Sequence, residues 1–451
     1  MQVNHNRARS RIHVTADGEG IVSHAGALLL AQLADRIGLT ADLSRAMAPT
    51  RRRRSVHDPG KVLVDLAVAL ADGADCLADL AVLRANADVF GPVASDPTAW
   101  RVVSSIGTVG LDAVNAARAR TRARAWEAGV RRGWIVLDLD ATLVTSHSEK
   151  QDAAPTYKHG FGFHPVMCYL DGTGEALAGM LRAGNAGSNT AADHLAVVDQ
   201  ALAQLPVATR ADDPHGGEWM LLRADSASAT HTFVDGLRQR GIEFSIGFPL
   251  TGDVRQAVLS LPERAWTSCI DQTCGLREGA ECAEVTHLLD LGSWPEGTRA
   301  ICRREDPHPG AQLTFTDQDG HRFQVFITDS DDPDLAYLEA RHRGHARVED
   351  RIRCAKDTGM ANRPFHDFAA NQAWLTLVLM AQDLLAWAQR LCLDGQLAKA
   401  EPKRARYVLW HVAGRLVTTG RRRILRLAKG WPWVDELVQA FRRLQALAVR
   451  T

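Results

Sequence analysis

Hydrophobic and polar positions divide this chain into stretches of different period. Over residues 22–47 apolar side chains recur at helical spacing (Ala25, Leu28, Leu29, Leu33, Ile37, Leu43), with an interruption at Gly38. Residues 61–87 repeat the pattern and break at Asp72-Gly73, and Ser95-Asp96-Pro97-Thr98 opens a further helix. At Gly133 the period falls to two. Residues 133–145 form an apolar run with two carboxylates set into it. Strand alternation puts Trp134, Val136, Asp138, Asp140 and Thr142 on one face, and Ile135, Leu137, Leu139, Ala141 and Leu143 on the other. Strands follow at 166–170 and 176–181, a helix at 191–205, a strand at 219–224 running into Asp225, a helix at 231–240 and a strand at 243–248. Three meander strands followed by alternating helix and strand is the order of an RNase-H-like α/β domain.

Beyond that point Gly and Pro turns separate short strands at 299–304, 312–316 and 322–328, which predicts a β-rich insertion within the α/β domain. Helical spacing returns at 344–356 and in the long apolar stretch 365–391. Basic helices are expected over 404–418, 424–427 and 434–449. The expected organisation is a helical N-terminal DNA-binding region (1–130), a first catalytic part (131–250), the β-rich insertion (251–330), a second catalytic part (331–395) and a basic helical C-terminal region (396–451).

Charge adds one asymmetry. The 451 residues carry 53 Lys+Arg and 53 Asp+Glu, so the net charge is zero. From Arg341 onward about twenty bases face nine acids, so this end is basic and suits a polyanion. Arg51, Arg52, Arg53 and Arg54 add a basic run between N-terminal helices. The eight cysteines are scattered without a CxxC pair, which favours reduced thiols over a zinc site. Neither a transmembrane-length apolar run nor a signal-peptide core occurs, so a cytoplasmic protein with no membrane partner is expected.

Two acids on one face of a core strand are costly to bury as charges unless something pairs with them, and a metal ion is the usual answer. Two further acids stand where they can complete such a site. Asp225 ends the fourth strand, which lies beside the first in an RNase-H-like sheet. Glu349 sits on a helix rich in Arg347, Arg351 and Arg353, with His345, Arg353 and Lys356 close to its own face. Asp140 (or Asp138), Asp225 and Glu349 are hard oxygen donors suited to Mg²⁺ or Mn²⁺. Paired metals of this kind drive phosphoryl transfer.

Five runs carry a resemblance: Leu137-Asp138-Leu139-Asp140-Ala141-Thr142; Tyr157-Lys158 with Gly162-Phe163-His164-Pro165; Leu222-Arg223-Ala224-Asp225-Ser226; Arg303-Arg304-Glu305 with His308-Pro309-Gly310-Ala311-Gln312; and His345 through Arg353 with Lys356-Asp357-Thr358-Gly359. In these the chain resembles bacterial DDE-type insertion-sequence transposases of the thirteen-eighty group, which carry a β-strand insertion between the second Asp and the Glu. The resemblance implies a retroviral-integrase-type, RNase-H-like catalytic domain. It also implies a bacterial, nucleoid-associated enzyme that binds terminal inverted repeats as double-stranded DNA, cleaves them and transfers strands to target DNA, as a homodimer in the synaptic complex. It selects Asp140, two residues before Thr142, with Asp225 and Glu349 as catalytic ligands of two Mg²⁺ ions (Mn²⁺ as a substitute). Asp138 becomes a supporting carboxylate, and Lys356 and Arg353 grip phosphates. The family's Tyr and Arg positions fall on His342 and His345, and Arg347 and Arg351 join them as DNA contacts. Trp294 is the candidate for the insertion Trp that stacks on a flipped base. The alternatives are a transposase-derived DNA-binding protein and a hydrolytic nuclease without strand transfer.

Overall fold

The computed structural model describes residues 12–51, 53–131, 133–147, 149–209, 217–307, 317–318 and 320–448. The expected strand at 312–316, the motif His308 to Gln312 and Arg52 lie outside them. The principal helices are α1 (Leu28–Arg36), α2 (Leu39–Met47), α3 (Pro59–Asp72), α4 (Thr108–Glu127), α5 (Ala191–Leu202), α6 (His231–Gln239), α7 (Leu335–Arg343), α8 (Arg347–Ala355), α9 (Phe368–Leu391) and α10 (Val434–Ala446). The principal strands are β1 (Ile135–Ala141), β2 (Val166–Leu170), β3 (Ala176–Met180), β4 (Met220–Ala224), β5 (Glu243–Phe248), β6 (Thr267–Ile270), β7 (Leu276–Glu284), β8 (Arg299–Glu305), β9 (His321–Thr328), β10 (Gly414–Thr419) and β11 (Arg422–Leu427). No helix among the described residues is long and apolar enough to cross a membrane.

One mixed sheet organises the molecule, in the order β6-β7-β8-β9-β5-β4-β1-β2-β3. β2 and β3 are antiparallel to their neighbours, and β1, β4 and β5 run parallel. The first and fourth strands are adjacent, as the chain order predicts. The segment holding β6 to β9 extends this same sheet, because β9 pairs antiparallel with β5 over Ser245–Phe248.

The alternation within β1 separates two cores. Ile135, Leu137 and Leu139 join the core under α5 and α6, with Val197, Val198, Phe233 and Leu237. The other sheet face, with Met167 and Tyr169, packs under α9 and the N-terminal helices. α9 is buried along most of its length, Trp374 and Trp387 included, because α3, α1 and α4 surround it. A fully buried ionic cluster ties these layers. Arg118 and Arg122 of α4 both donate to Asp383 Oδ2 of α9 (2.8 and 2.7 Å), and Arg122 Nε donates to Glu175 Oε1 (2.9 Å). Trp126 and Trp387 also donate to Glu175, at 3.0 and 2.8 Å. The helices of 1–130 thus share a core with α9 and with C-terminal residues through Leu444.

The C-terminal reading needs one correction. Residues 404–418 and 424–427 are not two helices. Helical turns end at Trp410, and β10 and β11 form an antiparallel hairpin, with β10 also pairing Ile21–Val22. The β-branched run Val417-Thr418-Thr419 and the Gly420 turn override the helical spacing of the basic residues.

Candidate active site

Parallel register sets up the site. β1 and β4 pair Asp138 with Arg223 and Leu139 with Ala224. One step further stand Asp140, next to last in β1, and Asp225, just past the end of β4. Asp225 then opens a short helical turn, its carboxylate accepting from the Ala227 N–H at 3.2 Å. Asp140 accepts from the Ala141 N–H at 2.7 Å. Glu349 lies in the first turn of α8 and is exposed, while Val348, Ile352 and Ala355 bury the opposite face of that helix. α8 packs across β1 and β2.

Asp225 lies between two clefts. One, of about 230 Å³, contains Asp140, Tyr157, His164 and His194. The other, of about 400 Å³, contains His345 and Glu349. Burial pushes the Asp140 carboxyl up to about 6; the negative charges of Asp225 and Glu349 add to this, and His345 opposes it. The triad does not close to oxygens all within 4.8 Å of one another. Three carboxylates whose negative charges act on one another fit a divalent cation, which hard oxygens bind.

Asp138 has another assignment. It is fully buried, and Arg223 grips it with two bonds of 2.8 Å. His345 Nδ1 lies 3.0 Å from the same carboxylate. Arg223 also reaches Asp171 at 3.0 Å and the Arg341 carbonyl at 2.7 Å. Asp171, at the turn after β2, takes Arg347 and Arg351 of α8 as well, which draws its carboxyl down to about 2. Arg223–Asp138 and Asp171 therefore hold the Glu349 helix to the sheet. Sequence reasoning missed Arg223 and Asp171. The signal was present, since Arg223 stands two residues before Asp225 as Asp138 stands two before Asp140.

A family model for the transposase DDE domain, group 1, matches residues 4–449. The chain belongs to the DDE transposase family. No curated protein matches it. Among solved structures, a cryo-EM structure of a piggyBac transposase synaptic complex with hairpin DNA is similar at 10% identity, with 85% of this chain and 80% of that chain covered and a TM-score of 0.45.

The remaining predicted site residues of this DDE transposase are distributed unevenly. Lys356 follows α8 directly and is half-buried; burial lowers its pKa, and the charge of Asp140 works against that lowering. Arg353 is exposed and paired with Glu401 at 2.8 Å and Asp350 at 3.1 Å. Arg51, Arg53 and Arg54 are exposed. Two more of them have rings packed on aromatic neighbours. His342 lines the cleft that holds Glu349; its ring stacks on Phe326 with centroids 4.3 Å apart, and its Nδ1 lies 2.9 Å from Ser245 Oγ. Burial drives its pKa well below the ordinary value. Trp294 is partly buried and packs on His231 (4.2 Å) and edge-on to Phe248 (5.6 Å). Arg347 and Arg351 are spent on Asp171, Arg347 remaining half-exposed. His164 and His194 were not anticipated beside Asp140. Burial lowers the pKa of both rings, that of His194 to about 4.

Proposed function

We propose that this DDE transposase is a bacterial insertion-sequence enzyme of the thirteen-eighty group. It binds terminal inverted repeats, cleaves them and joins the freed ends to target DNA. Asp140, Asp225 and Glu349 are its catalytic acids and would hold two Mg²⁺ ions, with Mn²⁺ as a substitute. The observation that carries this reading is the juxtaposition of Asp140 and Asp225 at parallel strand ends, with Glu349 on the helix laid across them. Bound there, the ions would supply an activated oxygen nucleophile and stabilise the leaving oxygen of a phosphodiester.

The chain's own residues do the rest. Arg223 neutralises Asp138 and, with Asp171, fixes α8 so that Glu349 faces the strand ends. Lys356 places a cation beside Asp140 for a phosphate near the scissile bond, and Arg353 extends that grip along the backbone. Water oxygen bonds to phosphorus and a 3′-hydroxyl leaves. That hydroxyl then attacks a target phosphodiester, releasing a new 3′-hydroxyl. The N-terminal arginines read the DNA end, the β-rich segment 251–330 is an insertion in an RNase-H-like core, and a homodimer holds paired ends.

The test is cleavage of a duplex carrying a cognate end, with Mg²⁺ and with chelator. Asp225→Ala and Glu349→Ala should bind DNA and melt like the parent but not cut. Cleavage by either variant sinks the assignment. Joining of a pre-cut end to a plasmid separates strand transfer from plain hydrolysis.

A further inference from the structure

The β10–β11 hairpin has a face that its fold does not explain. The pairing sets Arg415 directly opposite Arg426, Val417 opposite Ile424, and Thr419 opposite Arg422. These six side chains share one face. The other face supplies Leu416, Leu425 and Leu427, which pack on the core. The outward face is exposed at Arg415, Thr419, Arg422, Ile424 and Arg426, and Ile21, which pairs with Arg415, extends it. Gly420 (φ 59°) and Arg421 make the two-residue turn, so a fourth arginine stands at the tip.

Like charges directly opposite on adjacent strands destabilise a ribbon. Among the described residues none of Arg415, Arg421, Arg422 and Arg426 has an acidic partner, whereas the arginines at 118, 120, 122 and 124 of α4 and at 347, 351 and 353 of α8 are paired. Protection of the β11 edge against strand addition would explain charges on β11. It does not explain Arg415 on the central strand, facing Arg426. A two-stranded ribbon bearing four unpaired guanidinium groups around a small β-branched centre matches a duplex groove, where phosphates on either side take the arginines.

We propose that the outward face of this hairpin is a DNA-binding ribbon, separate from both catalytic clefts, that clamps duplex backbone through Arg415, Arg421, Arg422 and Arg426. The inference rests on the reading of the protein as a DNA-processing enzyme and adds a surface which that reading does not require. No hairpin residue lines either cleft beside the acids.

The experiment uses the full chain and a 30-base-pair duplex of arbitrary sequence, so that neither a cognate end nor cleavage is needed. Anisotropy titrations between 50 and 200 mM salt compare the parent with R415Q/R422Q/R426Q and R415K/R422K/R426K. The Gln variant should lose at least about tenfold in affinity at 0.1 M salt, and its plot of log affinity against log salt should flatten by about 2 to 3. The Lys variant should keep the parent slope. The Gln variant should melt no lower than the parent, because it removes a repulsive pair. An unchanged slope in a folded Gln variant overturns the proposal, as does aggregation of that variant with DNA binding intact, which would mark edge protection as the role. Failure of the parent itself to bind duplex DNA would instead overturn the transposase reading on which the proposal rests.

Discussion

Asp171 is a small residue with a large predicted effect on the Glu349 helix. Its carboxylate is shared by Arg223, Arg347 and Arg351, and only 12% of its side chain is exposed. The three guanidinium groups draw its pKa from an ordinary 3.8 to about 2. Carried through proton linkage, that difference is worth about 2 kcal/mol of folding stability at pH 7. The sign follows from the lowered value: the stabilisation is complete above the ordinary carboxylate range and is lost as pH falls through 4 toward 2. About half should remain at pH 3. Asp171→Asn keeps the shape and removes the charge. Urea unfolding followed by tryptophan fluorescence should show a loss of about 2 kcal/mol at pH 7, shrinking to about half at pH 3. Hydrogen exchange of α8 amides should accelerate more than that of β1, because Asp171 ties α8 through two of its own arginines. An equal loss at both pH values, or none at pH 7, would mean that the arginines are held by backbone carbonyls alone.

Other substitutions probe other parts of the same design. Asp138→Asn leaves Arg223 charged and short of its main acceptor, so it should cost about 3 kcal/mol and lower the melting temperature. Asp140→Asn relieves crowding with Asp225 and Glu349, so it should melt no lower than the parent while abolishing cleavage; melting shifts in the same direction for both would contradict the register. Asp383→Ala strands Arg118 and Arg122 in the core and should cost about 3–5 kcal/mol, read by denaturation. His411 is raised above its ordinary pKa chiefly by its hydrogen bond to Asp72, while Arg406 opposes the shift and the His24 ring stacks on it. A raised histidine stabilises below the ordinary imidazole range and loses that contribution as pH rises through the folded value. His411→Gln should therefore lower the melting temperature at pH 6 and do so less at pH 8.5; equal losses would remove the charge from the account.

Much of the core was legible because period alone separates its parts. The alternation in 133–145 identified β1 and its two faces, and the Asp72-Gly73 break marked the end of α3, where Gly73 adopts φ 116°. The hairpin was not legible. Its arginines occur at spacings that also fit a helix, and only the pairing partners show which of them face each other. The surroundings of His342 and Trp294 were not legible for a related reason. A residue on a functional helix or in a functional loop is legible as to element, but its rotamer is set by neighbours distant in sequence, here Phe326 and Ser245, and His231 and Phe248.

The division of labour between Asp138 and Asp140 shows how much a single strand register decides. Both lie on the same face of β1, one pleat apart, and strand alternation alone treats them alike. The parallel partner breaks the tie. β4 brings Arg223 opposite Asp138, and two residues later its chain brings Asp225 beside Asp140. One level of the sheet becomes a neutralised pair, buried and bonded. The next becomes two acids whose like charges add to the raised pKa of Asp140, with Glu349 of α8 in the cleft on the other side of Asp225. A shift of β4 by one residue would set Leu222 or Ala224 against Asp138 and leave it buried without a partner, at a cost of several kcal/mol. The Arg223–Asp138 pair thus locks the register that places Asp225, and through Asp171 the same arginine holds the helix that carries Glu349. Stability and site geometry depend on one guanidinium, and a variant that keeps the acids but loses Arg223 should lose their arrangement.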